Sequence, residues 1–179
     1  MSSAMRHVVL VGLMGSGKST VGRRLARALG RDFIDTDARV EASTARSIRD
    51  IFAEDGENGF RDRESEALES ALHTKVSSVI ATGGGVVLRD TNRRLLDDHS
   101  VIWLRARPEL LVDRVAGATR RGVGHRPLLD GDPLAKLTLM STERRALYAE
   151  VSDVTIDVDA LAIEQIVRTC VDAVKELER

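Results

Sequence analysis

The run Gly12-Leu13-Met14-Gly15-Ser16-Gly17-Lys18-Ser19 fits the spacing G-x-x-x-x-G-K-[ST], and the chemistry of that spacing is phosphate binding. Glycines let the backbone fold so that successive N–H groups face phosphate oxygens. The helix that follows adds its positive N-terminal end, and Lys18 supplies a mobile cation for the β and γ phosphates from a solvent-facing loop. Ser19 offers its hydroxyl to Mg²⁺. A second chemical signal is Phe33-Ile34-Asp35-Thr36-Asp37, where two carboxylates stand at the end of an apolar run. At the C-terminal end of a strand near a phosphate loop, such a pair can divide the work between a metal and a substrate hydroxyl. The other reading of the pair is a cluster that caps a helix.

A phosphate loop alone does not separate a kinase from a GTPase switch or an ATPase motor. The guanine-reading Asn/Thr-Lys-x-Asp is missing and no Asp-x-x-Gly occurs, so a GTPase would lack both its base selector and its γ-phosphate sensor. The apolar run 78–82 ends in Thr82, where a motor ATPase would carry a metal-binding acid.

These residues need elements to hold them. Apolar runs at 7–11, 32–35, 78–82, 101–104 and 154–158 read as strands, and being apolar on both faces they suit a sheet covered on both sides. Helical patterns alternate with them. Val21, Leu25 and Leu29 recur at i+4 before the stop signal Gly30, and Ile48, Ile51 and Phe52 follow the N-cap candidate Ser47. Ile163, Ile166, Val167, Cys170, Val171 and Val174 make one continuous stripe on a last helix. The class expected is α/β: one domain over 1–179, with a five-stranded parallel sheet flanked by helices. The segment 116–132 interrupts the alternation. It carries Gly117, Gly122, Gly124 and Gly131 with Arg120, Arg121, His125 and Arg126, and no apolar periodicity to tie it to a core. A phosphate-facing lid is the functional reading, and a mobile surface loop the other.

Composition narrows the partners. With 27 basic against 28 acidic residues in 179, the chain has no global positive field for a nucleic acid, so anion recognition must be local. The lone Cys170 cannot form an intrachain disulfide and sits in an apolar helical stripe, which suits a buried small hydrophobe in a reducing, intracellular compartment. The apolar stretch 8–14 falls far short of the roughly 20 residues of a spanning helix and lacks a cleavage pattern, so neither export nor membrane insertion is expected.

Taken in order, further motifs join the first two. Asp35-Thr36-Asp37 after Phe33-Ile34, Ser47-Ile48 and Ile51-Phe52 before Gly56-Glu57, then Phe60-Arg61, Gly83-Gly84-Gly85, Arg126-Pro127-Leu128-Leu129, and Arg144 ahead of Tyr148 together resemble the shikimate kinase family across roughly residues 7–158. Apart from the phosphate loop each motif alone is weak; order and spacing carry the resemblance. It implies a P-loop kinase fold with a mobile lid near 116–132 and a substrate-binding region near 35–65. The implied reaction moves the γ-phosphate of ATP to the 3-hydroxyl of shikimate, giving shikimate 3-phosphate and ADP, in aromatic amino acid biosynthesis. It also implies a cytoplasmic monomer with ATP as co-substrate and Mg²⁺, and no nucleic-acid or membrane partner.

The resemblance assigns roles as well. Gly15, Ser16, Gly17, Lys18, Ser19, Thr20 and Arg126 would bind the nucleotide, with Ser19 and Asp35 toward the metal. Arg61 and Arg144 look like two clamps on the substrate carboxylate, a task suited to guanidinium forks. Asp37 resembles the hydroxyl-binding acid, either as a base for the attacking hydroxyl or as a group that orients the ring. Gly83, Gly84 and Gly85 would let backbone approach the substrate, Gly84 and Gly85 as N–H donors, or would simply form a tight turn. Lys18, Asp37 and Arg126 are the catalytic set. Ala45 and Ala146 depart from the family's usual glycine and proline, and the adenine-stacking arginine stays open among Arg114, Arg120 and Arg121. A gluconate-type kinase has a similar loop and size but a substrate region not found here. A non-catalytic nucleotide-binding module would leave Asp37, Arg61, Arg126 and Arg144 idle.

Overall fold

A computed structural model describes residues 6–120 and 127–179. Strands β1 (Val8–Val11), β2 (Asp32–Asp35), β3 (Ser78–Ala81), β4 (Ser100–Arg105) and β5 (Val154–Asp157) lie within a residue of the positions read from the apolar runs. All are parallel, in the order β2-β3-β1-β4-β5. Helices α1 (Lys18–Leu29), α2 (Thr36–Thr44), α3 (Ile48–Leu72), α4 (Asp90–Leu96), α5 (Pro108–Arg120) and α6 (Pro133–Val151) fill the connections, and α7 (Ile163–Leu177) follows β5.

Side chains alternate across the central strand, as the pleat requires. Val8 and Leu10 meet the buried faces of α1 and α7, including Val21, Leu25, Ile166, Cys170 and Val174. Val9 and Val11 face the opposite layer, where Leu111, Leu137 and Tyr148 from α5 and α6 join Leu68 from α3. A strand buried on both faces has no polar side to spare, which is why β1 reads as an unbroken run of Val and Leu. Cys170 is buried in that first layer, and burial pushes its thiol up to about 12.

Local signals end the helices where expected. Gly30 closes α1 in the left-handed region at φ 65°, and the Ser47 hydroxyl accepts from the Asp50 N–H at 3.1 Å to start α3. Helix α3 is broken at Gly56 (φ 72°, ψ −177°), so its 25 residues form two helical pieces. The piece before the break packs Ile51 against Val40 and Phe60 in a small separate cluster, and the piece after it sends Leu68 and Ala71 into the main core.

The segment 116–132 differs from its expectation. Its first five residues continue α5, because Leu111 and Val115 anchor that helix and propagation adds one hydrogen bond per residue. Leu129, in a short 3-10 turn at Pro127–Leu129, is buried in the main core, so this end of the segment is tied down after all. Arg126 and Arg121 lie outside the described residues. Among the described residues no helix is long and apolar enough to cross a membrane.

Candidate active site

Because β3 lies between β1 and β2, the C-terminal ends of three adjacent strands open onto one another; the loops 12–17 and 82–85 leave β1 and β3, and β2 passes directly into α2 at Asp35 and Thr36. The loop after β1 turns on residues in the left-handed half of φ space: Gly12 at 143°, Gly15 at 82° and Gly17 at 97°. At Gly12 even the space is closed, since a Cβ there would stand 2.5 Å from the Leu104 carbonyl oxygen. Lys18 opens α1, yet its side chain is buried rather than solvent-facing. Its ammonium donates to the Gly12 oxygen at 2.7 Å and the Leu13 oxygen at 2.9 Å, bridging the mouth of its own loop. Ser16 is buried too, and its Oγ has no hydrogen-bond partner among the described residues. Ser19 and Thr20 are exposed on the first turn of α1.

The two carboxylates after β2 do different work, and both readings of the pair apply to Asp35. One of its oxygens caps α2, accepting from the N–H groups of Asp37 at 3.1 Å and Ala38 at 3.3 Å. The other accepts from Ser19 Oγ at 2.7 Å, so the phosphate loop's helix and the acid pair meet at this contact. Thr36 is buried between the acids and takes the Gly83 N–H at 3.2 Å, joining the start of α2 to β3's loop. Asp37, half-buried, faces the glycine triad.

Each glycine of the triad makes room for a different neighbour. A Cβ on Gly83 would lie 2.4 Å from Glu64 Oε1 and 2.8 Å from Asp37 Oδ1; one on Gly84 would press on Met14 N of the phosphate loop at 3.2 Å; one on Gly85 would collide with the Arg61 guanidinium. Arg61 is buried, with Nη1 on Glu64 at 2.7 Å and Nη2 on Glu57 at 3.0 Å. Burial works against its charge and the two carboxylates outweigh that, holding the guanidinium above its usual value. Arg144, also buried, donates Nη1 to the Gly84 oxygen at 3.0 Å. The Nε of each arginine and the Glu64 Oε1 are buried without a partner among the described residues. Buried polar atoms are almost always paired, so this concentration beside one loop marks a place prepared for a ligand.

The structure therefore gathers Gly15, Ser16, Gly17, Lys18, Ser19, Asp35, Asp37, Arg61, Gly83, Gly84, Gly85 and Arg144 at one end of the sheet. Of the candidates for adenine stacking, Arg114 reaches the phosphate loop, with Nη1 3.4 Å from the Gly15 oxygen. Glu57, Glu64, Thr36 and Tyr148 were not read as site residues. The signal for the two glutamates was their i−4 and i+3 spacing from Arg61 on one helix. For Tyr148 it was the i+4 step from Arg144.

The model of the family described as shikimate kinase matches residues 14–175. A shikimate kinase of Symbiobacterium thermophilum is 48% identical over 172 residues, covering 95% of this chain and 97% of its own. A solved shikimate kinase from Acinetobacter baumannii, in complex with shikimate, superposes with a TM-score of 0.88 at 36% identity, covering 97% of this chain and 95% of that one. A gluconokinase from Sinorhizobium meliloti 1021 reaches a TM-score of 0.57 at 20% identity, a likeness of fold alone. Nearly full-length similarity of sequence and of structure thus converges on the name that the motif order suggested. The chain belongs to the shikimate kinase family of ATP-dependent phosphotransferases.

Proposed function

We propose that this site transfers the γ-phosphoryl group of ATP to the 3-hydroxyl of shikimate, giving shikimate 3-phosphate and ADP. One observation carries the residue-level reading: a phosphate loop abuts, through Gly84, a pocket edge where two buried arginines each keep an Nε without an acceptor among the described residues. A substrate carboxylate supplies the acceptors that the Nε atoms of Arg61 and Arg144 lack, and fork-shaped donors hold it with a fixed orientation. Asp37, across Gly83 from that clamp, orients the ring hydroxyls and takes the proton of the attacking oxygen. The oxygen forms its bond to the γ-phosphorus as the bond to the bridging oxygen of ADP breaks. Lys18 and Arg126 spread the charge that develops on the moving group.

Ser19 Oγ and Asp35 Oδ2 are hard oxygens 2.7 Å apart, and among the described residues no group of three or more His, Cys, Asp or Glu forms a dedicated metal cage. Such a sparse oxygen set fits Mg²⁺, which keeps waters and takes phosphate oxygens; Ser19 and Asp35 would hold it, Asp35 through water. When bound there the ion neutralises charge on the β and γ phosphates. The stretch between the end of α5 and the buried Leu129 serves as the lid that brings Arg126 to the phosphate and excludes water. A cytoplasmic monomer is the form proposed, and the buried thiol of Cys170 suits a reducing compartment.

The test is ADP release from Mg²⁺-ATP with and without shikimate. Release that depends on shikimate is expected. Faster release with gluconate or another hydroxy acid would replace the substrate, and no release with any acceptor would leave a nucleotide-binding module.

A further inference from the structure

Among the described residues, Gly84 presents the one carbonyl of the triad that side chains hold. The Gly83 oxygen accepts from the Val86 N–H at 3.3 Å and the Gly85 oxygen from the Leu88 N–H at 3.0 Å, both ordinary turn contacts. The Gly84 oxygen instead receives Arg144 Nη1 and the Tyr148 hydroxyl, two donors arriving from α6. Tyr148 is 1% exposed, and its ring is stacked on Trp103 at 5.5 Å, so the phenol has little freedom to leave. Burial raises its pKa above the ordinary phenol value, which keeps the hydroxyl protonated and donating.

A carbonyl and the N–H of the next residue are opposite ends of one rigid, planar unit. Fixing the Gly84 oxygen toward α6 therefore aims the Gly85 N–H away from α6. Two hydrogen bonds on one carbonyl also draw electron density toward oxygen and make the N–H at the other end a stronger donor. The N–H of Gly83 is already spent on Thr36, whereas those of Gly84 and Gly85 have no acceptor among the described residues. A buried tyrosine that served packing alone could bond any nearby acceptor. This one bonds the peptide whose far end lies in the candidate substrate site.

We propose that Tyr148 is a positioning residue: together with Arg144 its hydroxyl orients and polarises the Gly84–Gly85 peptide, so that the Gly85 N–H is presented to the bound substrate. The inference rests on the reading that the triad lines the shikimate site. Tyr148→Phe keeps the ring on Trp103 and removes only the donor. Shikimate KM should rise about five- to tenfold, the scale of one hydrogen bond, while ATP KM stays within about twofold. The Gly85 amide proton should move upfield in a ¹H–¹⁵N spectrum as the peptide loses polarisation. Trp103→Phe, which loosens the stack and keeps the hydroxyl, should lower Tm without moving shikimate KM. A Tyr148→Phe enzyme with lowered Tm but wild-type shikimate KM and Gly85 resonance would overturn the proposal. Arg61→Lys measured alongside separates the two levels. If it raises shikimate KM and Tyr148→Phe does not, the positioning role falls and the site stands; if neither moves it, the site reading fails and the proposal with it.

Discussion

Where the strands begin, His7 accepts the Ser78 N–H on Nδ1 at 3.2 Å and turns Nε2 to the Leu72 oxygen at 3.1 Å, while His99 Nδ1 accepts the His7 N–H at 3.3 Å. Where the strands end, Ser16 Oγ, Glu64 Oε1 and the Nε atoms of Arg61 and Arg144 are buried without partners among the described residues. Both ends bury polar groups. At the first end, the Ser100 hydroxyl apart, these polar groups answer one another and pin β1 to β3 and β4. At the second they wait for something the chain does not contain. Satisfied polar burial holds a fold together, and unsatisfied polar burial stores a preference for a ligand.

Breaking that contrast at the ligand end should cost catalysis and leave the fold. The largest effect is expected for Lys18→Ala, a loss of about 10³-fold or more in kcat, since the cation proposed to meet the transferring phosphate is removed. Circular dichroism should match wild type; a mutant that kept most of its turnover would remove Lys18 from the chemistry. Asp37→Asn comes next, with kcat lowered about 10²-fold or more if the carboxylate takes the proton. If it only orients the ring, shikimate KM rises and kcat is nearly kept, so steady-state constants choose between the two. Arg61→Lys and Arg144→Lys should each weaken shikimate binding by about 1.5 to 3 kcal/mol, because charge remains and the fork is lost. Calorimetric titration of both ligands checks this, and an equal loss for ATP would move the arginines to the nucleotide side.

Breaking it at the other end should cost stability and spare catalysis. Burial pushes both histidines below the usual imidazole value, His7 lowered further by Arg31 and His99 by the neighbouring His7 ring. The unfolded chain, with imidazoles near 6.5, then binds more protons than the folded one just below that pH. The histidines' contribution is whole above about 6.5 and is lost as pH falls from there toward the folded-state values. His99→Asn keeps an acceptor for the His7 N–H and cannot titrate, so its melting temperature should fall less between pH 7 and 5 than that of wild type. Parallel curves would mean the pair does not sense pH. Smallest of all, Ala45→Gly should stabilise by about 0.5 kcal/mol, because Ala45 ends α2 at φ 52°, a conformation glycine takes without a steric penalty although it loses more freedom on folding. Urea midpoints would register the gain, and a loss would show that the unfolded-state term dominates.

The strands and the phosphate loop were legible because each is written in consecutive residues: an apolar run, or glycines at fixed intervals. Asp35, Asp37, Arg61 and Arg144 were legible only as a set, through the order of motifs along the chain. What escaped was reciprocity. A lysine in a glycine-rich loop reads as exposed, and nothing local says that Gly12 and Leu13 will turn their carbonyls onto it. Glu64 looks like any charged helix residue until the fold places it 1% exposed against Arg61 and the triad. The helical turns of 116–120 were hidden by Gly117, and the anchoring of Leu129 by the arginines and glycines around it, since periodicity cannot see a single residue reaching a distant core.

The break at Gly56 gives α3 an angular freedom that an unbroken helix lacks. In a continuous α-helix each inserted residue rotates everything downstream by about 100°, so one added residue ahead of Arg61 would swing its guanidinium off the triad. A residue outside the helical region interrupts that phase relation. Length changes in the piece that packs on α2 can be taken up at the break, while Arg61, Glu64 and Leu68 keep their common bearing on the sheet. What still ties the two pieces together is side-chain packing, Phe60 beyond the break lying against Phe52 before it, and not helical phase.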